Sequence, residues 1–114
     1  MPDVKKETAD HLEAIATAEE EILSSLLAMQ LHNLDQSGLD SRTYSLIKIA
    51  TLVSIDAPPA SYLAQVTFAL ESGVTPEEIL GTLIAVAPQV GLPKVIAAAP
   101  ELMLALGLEL EPMT

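Results

Sequence analysis

The sequence predicts an all-α protein, and three observations carry that prediction. No stretch alternates apolar and polar residues as a half-buried strand would, whereas apolar residues recur at helical spacing between turn signals. Half of the 114 residues are hydrophobic but only 3% are aromatic. The interior must therefore be built from Ala, Leu, Ile and Val, which favours close packing of helices. Turn signals such as "NLDQSGLD", "DAPP" and "SGVTPEE" cut the chain into pieces of helical length.

The elements follow in order. From about Asp3 to Leu34, residues Leu12, Ile15, Ile22, Leu23, Leu26, Met29 and Leu34 form an apolar stripe with Glu19 to Glu21 on the outside, a pattern compatible with one helix or two. Met29 and Met103 read as gap-fillers in helix cores. Asp40 is the expected N-cap of the next helix, which places Leu46, Ile49, Ala50 and Val53 on its apolar stripe and Tyr44 and Lys48 on its polar side. A third region starts with Pro58 in its first turn, where a missing N–H is tolerated, and ends near Gly73.

"TPEEIL" is the strongest local signal. Thr75 as N-cap, Pro76 at the first helical position and Glu78 closing a capping box together stabilise a helix start by about 1–2 kcal/mol. Pro88 is expected to kink that helix before Gly91 stops it, and "GLPKVIAAAPELMLALG" restarts a last helix with Pro93 in its first turn. The tail "LELEPMT" is expected to fray. The organisation read from this pass is one domain over 1–114, with a helical extension over 1–37, a core over 39–106 and an acidic tail over 107–114.

Composition narrows the function. A chain of this length buries roughly two-thirds of its unfolded surface, enough for one core. The net charge of −11, from 16 acidic and 5 basic residues, disfavours nucleic acid and anionic membrane surfaces as partners. With no cysteine in the chain, disulfides, thiolate metal sites and thiol nucleophiles are excluded together. The N-terminus lacks an apolar signal region, so a cytoplasmic location is expected. Mean hydropathy is +0.42. From Ile79 to Leu108 only Lys94 and Glu101 are charged, yet Pro88, Pro93 and Pro100 cut the run below the ~20 residues a membrane span needs. Helices apolar on all sides are buried on all sides, so a large subunit interface is expected.

The run "GVTPEEILGTLIAVAPQVGLPKVIAA", with the preceding "LDSRTYSLIKIATLV", resembles the carboxymuconolactone decarboxylase family, which also contains the alkyl hydroperoxidase D-type peroxidases. The likeness extends from about Leu39 to Leu106. It implies an all-helical subunit that assembles into a homo-trimer or homo-hexamer, with no cofactor. In the peroxidase branch the helix after "DAP" carries Cys-x-x-Cys-x-x-x-His; here those positions are Pro58, Ser61 and Gln65, and the upstream glutamate falls at or near Ser45. Peroxide reduction needs a thiolate and a resolving thiol, and this chain has neither. The decarboxylase branch keeps a histidine where Gln65 stands; a glutamine can donate a hydrogen bond to a developing enolate but cannot deliver a proton.

The candidate site drawn from this reading has Lys48, Tyr44 and Gln65 as catalytic groups and Ser45, Ser61 and Tyr62 as ligand-binding groups, facing each other across a small cleft. Its expected occupant is a small anionic, carboxylated or lactone-like metabolite. Were the protein an enzyme, it would be a decarboxylase-type lyase; the alternative is a catalytically silent structural or regulatory oligomer. His11 and His32 stand 21 residues apart with nothing specific that joins them in one ligand set, so no metal site is expected.

Overall fold

The structure is a computed structural model, describing residues 3–17 and 20–109. Among these residues every regular element is an α-helix. The chain divides at Gly38 into two units, the first ending at Gly38 and the second starting at Leu39.

The first unit holds α1 (Lys6–Ala16) and α2 (Glu20–Ser37), so its described residues form two helices rather than one. Leu12 and Met29 are 59% and 67% exposed, which corrects the expectation that Met29 fills a core gap. The side chains of Ile15, Ile22, Leu23 and Leu26, expected on the same stripe, lie outside the described residues, as do Glu19 to Glu21 and the end of the acidic tail.

The second unit is built from α3 (Ser41–Ile55), α4 (Pro59–Glu71), α5 (Pro76–Val90) and α6 (Leu92–Ala105). Asp40 caps α3 as expected: its carboxylate accepts the Thr43 N–H at 2.8 Å and the Thr43 hydroxyl at 3.0 Å. Those bonds hold its carboxyl below the ordinary range. Helix α3 stops at Asp56, which adopts a left-handed conformation (φ 53°, ψ 55°). Helix α4 begins one residue later than expected, with Pro58 as N-cap and Pro59 in the first turn.

Helix α5 opens on the full capping box: the Glu78 N–H donates to Thr75 Oγ1 at 3.1 Å and the Thr75 N–H to Glu78 Oε1 at 3.0 Å. Pro88 and Pro100 both sit inside helices, so neither breaks the apolar run. The break is at Gly91, whose φ of 90° an L side chain adopts only under strain. No helix among the described residues is long and apolar enough to cross a membrane.

The core collects one stripe from each helix: Ile49 and Val53 from α3, Tyr62, Val66 and Ala69 from α4, Ile79 and Leu83 from α5, Ala98 and Leu102 from α6. Burying a Val, Leu or Ile side chain fully contributes about 1.5–3 kcal/mol, so this cluster is the main source of the unit's stability.

Candidate functional site at the α3–α4 hairpin

The candidate residues all lie on α3 and α4, and two contacts fix how these helices are aligned. Near the start of α3, the Tyr44 ring meets Phe68 edge-on, with centroids 6.5 Å apart and planes at 70°. Near its end, the Tyr62 hydroxyl donates to the Leu52 carbonyl at 3.1 Å. Walking from Tyr44 to Leu52 along α3 therefore matches walking from Phe68 back to Tyr62 along α4. Lys48 lies between the two contact points of α3 and Gln65 between those of α4, and Ser61 comes one turn closer to the α3–α4 loop.

Tyr44 is only 3% exposed, which corrects its placement on a polar side. Its ring is met by Phe68 from α4, a contact that lies far from it in sequence. Lys48 is half-buried, and its ammonium lies 4.8 Å from the centroid of the Tyr44 ring one turn back. A cation over a tyrosine face gains about 0.5–1 kcal/mol at such a site, enough to fix where the charge rests. Gln65 is half-buried, with its Oε1 enclosed. Ser61 is half-buried and its backbone N–H donates to the Pro58 carbonyl at 3.0 Å.

Ser45 and Tyr62 have their hydroxyls engaged inside the fold. Ser45 is fully buried and donates to the Ser41 carbonyl one turn earlier at 2.7 Å, the back-bond a helical serine makes. Tyr62 is 1% exposed, and burial, then the charges of Asp56 and Glu101, push its phenol pKa above the ordinary value. It therefore remains a donor to Leu52 across the physiological range.

A second polar cluster escaped the sequence reading. Arg42, in the first turn of α3, donates to the Gly73 carbonyl and to Glu78, tying the start of α3 to the start of α5. Glu78 thus serves the capping box and Arg42 together. Its carboxyl is held below the ordinary range, first by the Thr75 backbone bond and then by Arg42. No local pattern links residues so far apart in sequence; only the identity of Glu78 was visible. The Lys94 ammonium likewise donates to the Ser54 carbonyl in the last turn of α3.

Elsewhere, an apolar groove of about 210 Å³ runs between α4 and α6, lined by Pro59, Ala60, Leu63, Glu101, Leu104 and Ala105. None of the six candidate residues lines it. His11 and His32 are exposed, and among the described residues no group of His, Asp or Glu could hold a metal ion.

These features define a class: an all-helical chain without cysteine, whose first core hairpin carries a lysine resting on a tyrosine and, on its second helix, a glutamine. The chain matches the model of the Carboxymuconolactone decarboxylase family over residues 20–102, and it belongs to that family. The match begins at Glu20 and so takes in α2 as well as the four helices of the second unit. No curated protein and no solved structure matches the chain. Within the family, the chain lacks the cysteine pair of the peroxidase branch.

Proposed function

We propose that the protein binds a small carboxylated or lactone-like metabolite at the α3–α4 hairpin, as a decarboxylase-type member of its family working as a homo-oligomer. The observation that carries this reading is the ammonium of half-buried Lys48 resting on the Tyr44 ring, with half-buried Gln65 on the helix that packs against α3. A carboxylate placed there would pair with the ammonium and accept a hydrogen bond from the Gln65 amide; Ser61 lies one turn away to hold a second oxygen. Were carbon dioxide lost from such a ligand, Lys48 and Gln65 would stabilise the enolate charge. The proton for carbon would come from Lys48 or Tyr44, because Gln65 has none to deliver.

A second reading, a catalytically silent oligomer, draws on Ser45 and Tyr62, whose hydroxyls are engaged with backbone carbonyls inside the fold. Calorimetric titration of the native chain with carboxylated lactones and dicarboxylates separates the two. Binding that Lys48→Ala and Gln65→Leu each weaken at least tenfold supports the first reading. No binding, or binding that neither substitution changes, overturns it.

A further inference from the structure

We infer that Phe68 is a positioning residue for the anion site proposed above: its ring holds the plane of Tyr44, and through Tyr44 it sets where the Lys48 ammonium rests. The inference takes its ligand from that reading and its geometry from the α3–α4 contact alone.

Composition first singles Phe68 out. The chain has one phenylalanine, two tyrosines and no tryptophan, and all three aromatic rings lie on α3 and α4. Tyr62 is the one aromatic member of the core cluster; Tyr44 and Phe68 both stand outside it. Filling a half-buried position such as that of Phe68 asks only for an aliphatic side chain, which this chain supplies throughout its core. A phenylalanine there offers something that leucine does not, the directional edge and face of a ring.

Its place on α4 is a second reason. Ser61, Gln65 and Phe68 follow one another at spacings of four and three, which puts them on one side of the helix, one above the other. Phe68 therefore continues the row that carries two of the candidate site groups. It meets Tyr44 edge-on, with centroids 6.5 Å apart and planes at 70°, inside the range where aromatic pairs attract through their quadrupoles. A leucine would touch the Tyr44 ring without favouring one plane for it.

The plane matters because of what lies against it. The torsion that turns a tyrosine ring is broad, so the backbone and the first side-chain rotamer do not choose its plane. A cation is drawn to the face of a ring and not to its edge, and the flexible lysine stem can follow that face. With the Lys48 ammonium 4.8 Å from the Tyr44 centroid, turning the ring moves the charge.

The test compares the native chain with Phe68→Leu and Phe68→Tyr by the proton–carbon correlation signals of the lysine Cε methylenes, without ligand. The Lys48 signal is the one that Lys48→Ala removes. In the native chain the Tyr44 ring current should place it upfield of an exposed lysine. Phe68→Leu should abolish that displacement while helical circular dichroism is retained, and Phe68→Tyr, which keeps a ring at the contact, should preserve it. A packing role alone would lower the melting temperature of Phe68→Leu and leave the signal in place, and that result overturns the inference. So does a signal that both substitutions move alike. In the titration with carboxylated lactones and dicarboxylates, Phe68→Leu should weaken binding by about threefold or more, the loss expected when an ammonium leaves its ring. Equal binding by Phe68→Leu and the native chain also overturns the inference. A native chain that binds none of these ligands removes the pocket proposal alone, since the Lys48 signal decides the positioning role without a ligand.

Discussion

The α4–α5 junction is closed by a side-chain pair three residues apart in sequence, whereas the α3–α4 junction, closed by the backbone N–H groups of Asp56 and Ala57, gains its side-chain donors from helices further along the chain. At the first, Thr75 and Glu78 satisfy each other's backbone N–H groups before Arg42 adds its bridge. At the second, the last turn of α3 is met by the Tyr62 hydroxyl on the Leu52 carbonyl and by Lys94 on the Ser54 carbonyl, around an aspartate held in left-handed backbone. The comparison shows that a helix start can be completed by its own first residues. The helix end is closed by the backbone just past it, Ala57 donating to the Leu52 carbonyl and Asp56 to that of Val53, and the tertiary fold adds side-chain donors on top.

Tyr62→Ala should be the largest break on the α3–α4 side, destabilising the protein by about 3–5 kcal/mol in urea unfolding, because it opens a cavity beside Ile49 and Val53 as well as removing the donor. Tyr62→Phe isolates the hydroxyl and should cost about 1 kcal/mol. A Tyr62→Phe loss as large as that of the alanine variant would mean that the hydroxyl, not packing, dominates the junction.

On the α4–α5 side, Thr75→Ala should cost about 1 kcal/mol and Thr75→Asp should recover most of it, since either side-chain oxygen can accept the Glu78 N–H. Thermal unfolding followed at 222 nm reads both. Equal losses for the two substitutions would show that the cap is not what holds the helix start.

pH separates the junctions further. The lowered Glu78 carboxyl contributes stability that is present above its unfolded pKa and is lost as pH falls through the folded value, so acid should loosen the α4–α5 junction. Glu78→Gln should flatten the acid limb of a melting-temperature profile. The raised Tyr62 phenol works at the other end: its contribution is present below the unfolded pKa and is lost as pH rises through the folded one. Tyr62→Phe should flatten the alkaline limb and leave the acid limb as it is.

The smallest effect is expected for the glycine variant of Asp56. Asp56→Gly relieves the left-handed strain but frees the unfolded chain, so stability should change by less than about 0.5 kcal/mol. Asp56→Val, whose branched side chain resists that backbone, should cost about 1–2 kcal/mol.

The same contrast explains what could be read from the sequence. Asp40 and Thr75 were legible as caps because donor and acceptor lie within three residues, and the Ile49–Val53 stripe was legible from its period. The burial of Tyr44 was not, because it depends on Phe68 arriving from α4. Arg42 reaches Glu78 across a separation of 36, beyond any local pattern. Pro88 inside its helix and the stop and restart at Gly91 were legible because glycine and proline act locally, and α5 and α6 run past Pro88 and Pro100 with Gly91 between them. In the candidate site, the residue types and the helices carrying them were readable. The pairing of Lys48 with the Tyr44 ring and of Ser45 with the Ser41 carbonyl needed only a spacing of four, but the engagement of Tyr62 with the Leu52 carbonyl needed coordinates.

The Arg42 bridge also has a consequence in time. The Thr75–Glu78 box closes a loop of one helical turn and can form as soon as α5 nucleates. The Arg42–Glu78 contact must wait until α3 and α5 have been brought together across the whole of α4. Interactions made after the folding barrier govern how fast the native state opens, and those made before it govern how fast it is reached. Thr75→Ala should accordingly slow refolding, while Arg42→Met should leave refolding nearly unchanged and speed unfolding, so that one glutamate serves the folding rate through its first partner and the native lifetime through its second.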